Sequence, residues 1–142
     1  MRKKAFTSEL WQCVMDSSSL INIQHNTGIR ALEKRKGQIL IPGQVAWEVA
    51  FDPRIYKNDP LRKFILNNPE VVTNLKDEEE EEYLRIASQQ GIDSGEASAM
   101  AIALKRNLPL VIDEKETKAR GKAKNHGITT LNGKDFLNGK FP

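Results

Sequence analysis

"CVMDSSSL" (residues 13–20) runs from apolar residues into an aspartate and three serines. "LVIDEKET" (residues 110–117) makes the same move much later in the chain. Each apolar run reads as a short strand bounded by polar residues. Both strands end in a carboxylate, Asp16 and Asp113. Whether those two ends meet decides both the fold and the chemistry.

Three more runs read as strands, at 38–41, 70–73 and 128–130, beside 12–16 and 110–113. Helical stretches fall between them. Residues 17–24 and 27–36 form a pair broken near Asn26 and Gly28. Residues 42–50 start with Pro42, well tolerated in a first helical turn. Further helices are expected over 61–67, 77–90, 94–106 and 114–125, with 52–60 as a loop carrying a proline near each end. Strand and helix alternate throughout, so the class is α/β with a mainly parallel five-stranded sheet.

The chain has 142 residues, of which 39% are hydrophobic and 29% charged. That profile fits one soluble domain, 1–142, with 1–11 as an N-terminal extension. No apolar run approaches a membrane span. The basic start lacks the apolar stretch of a secretion signal. The single cysteine, Cys13, cannot form an internal disulfide, so a cytoplasmic location is expected. One cysteine and two histidines make a structural zinc site a poor reading. Trp47 is expected in the core.

Net charge is +3, but six acids sit together at 77–82. Without them, 22 bases face 13 acids. The bland reading of the acid run is a solvated helix start. Residues 115–124 carry Lys115, Lys118, Arg120, Lys122 and Lys124. Lys115, Lys118 and Lys122 share a helical stripe that could hold a phosphate backbone, or simply solvate the surface.

In parallel α/β sheets, ligands bind beyond the strand C-termini where strand order reverses. If the strands ending in Asp16 and Asp113 are neighbours, both carboxylates reach one crevice. Helix capping is the local rival for each aspartate. Two more acids join the question. Glu48 lies on a helix beside Val45 and Trp47. Glu96 follows Asp93 by three residues, and the two could close a capping box. Glu96 also adjoins an apolar stripe of Ala97, Met100, Ala101 and Leu104. If Asp16, Glu48, Glu96 and Asp113 converge, their mutual repulsion calls for a cation. Oxygen-only ligands point to Mg²⁺ or Mn²⁺. An acidic metal centre in basic surroundings points to a nuclease.

"VMDSSSLI", "ILIPGQVAWEV", "IDSGEASAMAIAL" and "LVIDEKETKARGKAKNHGI", in this order and spacing, resemble the PIN domain family. The likeness is greatest to its branch of VapC-type toxins. It runs over roughly 12–130. The resemblance implies a three-layer α/β/α sandwich, an acidic site for Mg²⁺ or Mn²⁺, and endoribonuclease activity. By motif, Asp16, Glu48, Glu96 and Asp113 match the family's acids, with Asp93 assisting as a ligand. Ser17 stands where a hydroxyl residue would orient Asp16. The resemblance also implies RNA as substrate, an antitoxin protein as a partner, and a homodimer. The competing class is a non-catalytic nucleic-acid-binding module whose acids merely cap helices. A haloacid-dehalogenase-like reading fails because Ser18 stands where a second aspartate would be needed.

Overall fold

In the computed structural model, which describes residues 11–52, 59–113 and 119–140, five short strands lie side by side and all run parallel. They are β1 (Cys13–Met15), β2 (Ile39–Pro42), β3 (Val72–Thr73), β4 (Leu110–Val111) and β5 (Thr130–Leu131). Their order across the sheet is β3-β2-β1-β4-β5. Val14 pairs with Leu40 on one side and Leu110 on the other. The chain builds outward from β1 through β2 and β3, then returns to β1's other edge for β4 and β5. The strand order therefore reverses between β1 and β4, the strands that lead into Asp16 and Asp113.

Helices fill the connections, as parallel strands require. They are α1 (Ser17–Asn26), α2 (Ile29–Glu33), α3 (Gly43–Ala50), α4 (Asp59–Asn67), α5 (Asp77–Ala87), α6 (Ser94–Arg106), α7 (Ala119–Asn125) and α8 (Gly133–Leu137). Side chains alternate along the central strands. Cys13, Met15 and Val111 face one buried cluster, shared with α1 to α4 and α8. Val14, Leu110 and Ile112 face the other, shared with α5, α6 and α7. The result is the α/β/α sandwich expected from the sequence.

The sandwich demands different things of different helices. α4 is amphipathic and buries Leu61, Phe64 and Ile65. α6 is buried nearly all round, from Gly95 to Ala103. Its alanines let the sheet, α3 and α5 approach closely, so burial extends well beyond the stripe read from the sequence. Asn107, with φ 55°, ends it in the left-handed region.

Several boundaries differ from the sequence reading. The expected strand at 70–73 begins as a 3-10 turn, Pro69–Val71. Pro69 opens this turn, and only Val72–Thr73 remains to pair. α8 was not anticipated, because five residues carry too little periodicity. Its local signal is Asn132, whose side chain accepts from the backbone N–H of Asp135. Of the expected helix at 114–125, residues 114–118 lie outside the described residues, as do 53–58 of the expected loop.

Trp47 departs from expectation: it is 41% exposed. The helical period turns Val45, Ala46 and Val49 inward and leaves Trp47 outward. Trp11 is the buried tryptophan, set edge-on to Phe136 with ring centroids 6.1 Å apart. The acid run is not uniformly solvated either. Glu79 and Glu82 are buried, on the face of α5 that also buries Ile86. Arg106 binds Glu79 through Nε at 2.7 Å and Nη2 at 3.0 Å, and reaches Thr73 and Asn74 as well. Arg85 binds Glu82 at 2.9 Å. Partly buried Arg106 and exposed Arg85 thus offset the cost of burying these carboxylates.

Candidate active site

Asp16 leaves β1 and caps α1. Its backbone is extended, and Oδ1 accepts from the Ser19 N–H at 3.1 Å. Oδ1 also accepts from the Ser18 hydroxyl at 2.8 Å. The same hydroxyl oxygen accepts from the backbone N–H of Asp113 at 3.4 Å. One serine therefore bridges the ends of β1 and β4. Ser18, rather than Ser17, does this: it lies on the first turn of α1 and reaches back over the cap. Asp16 is 1% exposed, so its orientation is tightly held.

Asp16 is the N-cap of α1, and this role leaves it at the strand end. The cap fixes the carboxylate at the strand end, and the strand order brings that end beside β4. Asp113 is only partly buried. Its Oδ1 accepts from the Gly133 N–H at 2.8 Å, and Oδ2 from the Asn22 amide at 3.4 Å. It therefore ties α1 to the start of α8. Gly133 keeps this approach close: a Cβ there would lie 3.1 Å from Asp113 Oδ2 and 3.2 Å from Ile23, a tight fit.

Glu48 belongs to a second group. Its carboxylate rests on Gly95 in the first turn of α6, where a Cβ would collide with it. Desolvation raises its pKa above the ordinary carboxylate value. The negative charge of Asp93 and, less strongly, of Asp52 raises it further, while a hydrogen bond with Gln44 opposes this. Asp52 is fully buried and was not singled out from the sequence, where it reads as the start of a loop. The expected capping box of α6 forms. Asp93 Oδ1 accepts from the Glu96 N–H at 2.8 Å, and Glu96 Oε1 accepts from the Asp93 N–H at 3.0 Å. One oxygen of Glu96 is thereby committed to the cap.

Among these acids, Asp16 meets the Asp113 backbone through Ser18, Glu48 feels the charge of Asp93, and Glu96 closes the cap with Asp93. Among the described residues, no three Asp, Glu, His or Cys side chains come together as a cage for a metal ion. Local N–H donors hold three of the carboxylates, and like charges have no reason to close up on their own. The donor set still suits one class of ion. Mg²⁺ is typically bound through one or two carboxylates, water and substrate phosphate, rather than by an all-protein cage. An oxygen-only pair at the switch point fits that description. Cys13 offers no soft alternative: it is buried in β1, and burial pushes its thiol pKa up.

The basic residues are only partly described. Lys115 and Lys118 lie outside the described residues. Lys122 on α7 is partly buried and extends to the turn before α6, its Nζ 2.9 Å from where a Gly91 Cβ would stand. Arg120 on the same helix has a buried Nε with no hydrogen-bond partner. No helix among the described residues is long and apolar enough to cross a membrane.

Two acids, Asp16 and Asp113, thus stand at the strand switch point of a doubly wound parallel sheet. Residues 12–132 match a family model described as a PIN domain, and the chain belongs to the PIN domain family. Its members are generally nucleases that use divalent metals. Among solved structures, the chain is similar to PAE2754 from Pyrobaculum aerophilum, with a TM-score of 0.58 and 16% identity. The alignment covers 90% of this chain and 95% of that one. At that identity the likeness speaks for the fold alone. No curated protein matches the sequence.

Proposed function

We propose that this protein is a metal-dependent endoribonuclease that hydrolyses RNA phosphodiesters. The observation that carries this reading is the Ser18 bridge, which holds Asp16 and Asp113 together at the β1–β4 switch point. Asp16 and Asp113 are the first ligands proposed for Mg²⁺ or Mn²⁺, with Glu48, Glu96 and Asp93 beside them. When bound, such an ion supplies positive charge to the phosphate and an acidified water.

The chain's own contribution is orientation. Ser18 and the Ser19 N–H fix Asp16, and the Gly133 N–H fixes Asp113. Neither carboxylate has to reorganise when charge develops on the phosphate. Burial and the negative charge of Asp93 raise the pKa of the Glu48 carboxyl, which favours its protonated form. It would accept a proton from water or return one to the leaving oxygen. Lys122, together with Lys115 and Lys118, would bind the phosphate backbone.

The test is cleavage of labelled single-stranded RNA with Mn²⁺, beside EDTA and Asp16→Asn controls. Cleavage lost in both controls supports the assignment. RNA binding unaffected by EDTA, with no cleavage under any condition, would instead identify a binding module. The finer form of the reading is the toxin of a toxin–antitoxin pair. Growth arrest on expression, relieved by a co-expressed antitoxin, tests that form. A homodimer is proposed as the working state, and the exposed side chains of Trp47, Phe51 and Leu66 on and beside α3 and α4 support self-association. Sedimentation measures it, and a cytoplasmic location is checked by cell fractionation.

A further inference from the structure

A cleft of about 700 Å³ opens between α1 and α8, and Asp113 forms part of its wall. Its size lies within the roughly 300–1,000 Å³ of typical small-ligand sites. Asn22 and Asn26 line it from α1, and Asn138 from the end of α8. All three asparagines are exposed, and each amide offers a donor and an acceptor side by side. Leu137, partly exposed, supplies apolar surface, over the buried Ile23. Two cations, Arg120 and Lys134, complete the lining. Arg120 Nε is buried without a hydrogen-bond partner, so nothing in the chain holds it by that atom.

We propose that this cleft seats one nucleotide of single-stranded RNA, next to the bond that is cut. The inference rests on the ribonuclease reading and adds to it a place where sequence is read. Paired donors and acceptors suit the hydrogen-bonding edge of an unstacked base. The apolar strip suits the base's flat face. Arg120 presents a planar fork that matches a phosphate, and Lys134 adds a second positive charge. Asp113 connects the two regions, since its Oδ2 accepts from Asn22 while its backbone meets Ser18. The ligand chemistry is a nucleoside monophosphate unit, which could come from an RNA strand or from a free nucleotide. The strand is favoured, because the cleft is open and shares Asp113 with the proposed cutting site.

The experiment uses the full-length Asp16→Asn protein, labelled with ¹⁵N at asparagine side chains. It is titrated with a single-stranded hexaribonucleotide, with each nucleoside 5′-monophosphate, and with inorganic phosphate. The hexaribonucleotide is expected to move the Asn22, Asn26 and Asn138 amide signals. Arg120→Gln is expected to weaken that binding about tenfold, the loss of one charged hydrogen bond. In the active enzyme, Asn26→Ala and Asn138→Ala are expected to change the base preferred beside the cut, through KM more than kcat. RNA that binds or is cut without moving these amides would overturn the proposal. Occupation by a free mononucleotide but not by RNA would overturn the assignment to a strand. Amide signals that respond to RNA in a protein whose wild type cuts nothing would uphold the cleft and refute the nuclease reading.

Discussion

Asp16 and Asp113 are joined through a single hydroxyl: Ser18 Oγ donates to the Asp16 carboxylate at 2.8 Å and accepts from the Asp113 N–H at 3.4 Å. The two aspartates are far apart in sequence and stand at the ends of adjacent parallel strands. Ser18→Ala should remove both contacts and leave the α1 cap to the Ser19 N–H alone. A lost hydrogen bond to a charged group costs about 1.5–3 kcal/mol. Cleavage is expected to fall about tenfold or more in Ser18→Ala. Ser17→Ala, which removes neither contact, should stay close to wild type. Equal losses in the two variants would mean that the bridge does not order the site.

Divalent metal should stabilise the folded protein. At ten times its Kd, one bound ion adds about 1.4 kcal/mol, or about 4 °C in Tm for a chain of this size. Scanning calorimetry with and without Mn²⁺ measures this shift. Asp16→Asn should abolish it while keeping the metal-free Tm near wild type. A Mn²⁺ shift that survives Asp16→Asn would place the ion elsewhere.

Gly95→Ala separates stability from activity. The new methyl would collide with the Glu48 carboxylate, the movable end of a flexible side chain. Alanine is also the better helix former by about 1 kcal/mol. Stability is therefore expected to stay within about 1 kcal/mol of wild type, as read by urea unfolding. Activity should fall at least tenfold if Glu48 works from its present position. Unchanged cleavage in Gly95→Ala would remove Glu48 from the chemistry.

Acid should open the α5–α6 contact. The hydrogen bond from Arg106 holds the Glu79 carboxyl below its ordinary pKa, and the Lys76 N–H at 2.9 Å adds to this. A depressed carboxyl contributes stability that is fully present above its unfolded-state pKa and lost as pH falls through the folded one. Glu79→Gln should cost about 2 kcal/mol at neutral pH. It should also flatten the loss of stability on the acid side of the ordinary carboxylate pKa. Urea unfolding of both proteins across that range tests this, and parallel curves would refute it.

The folded architecture was legible at β1 and β4 because their signals are local. Apolar runs that stop at a carboxylate need no partner to be read, and alternation with helices predicts a parallel sheet. The capping box of Asp93 and Glu96 was equally legible, since both partners lie within one helical turn. Trp47 was misread because a large aromatic beside apolar neighbours looks like core, while its exposure depends on how α3 rolls against the sheet. Within the acid run, four residues are exposed as a solvated helix start requires, and Glu79 and Glu82 depart for a similar reason. Glu79 is buried because Arg106 comes from a different helix to meet it.

The sequence by itself determined the strands and most of the helices, because each follows from residue type and short-range spacing. Only the tertiary structure decided which acids meet. It set β1 beside β4, made Ser18 the bridge, turned Glu48 against Gly95, and opened the asparagine-lined cleft between α1 and α8. These relations join residues distant in the chain. Their geometry is set by strand order and close packing, which spacing along the sequence does not encode.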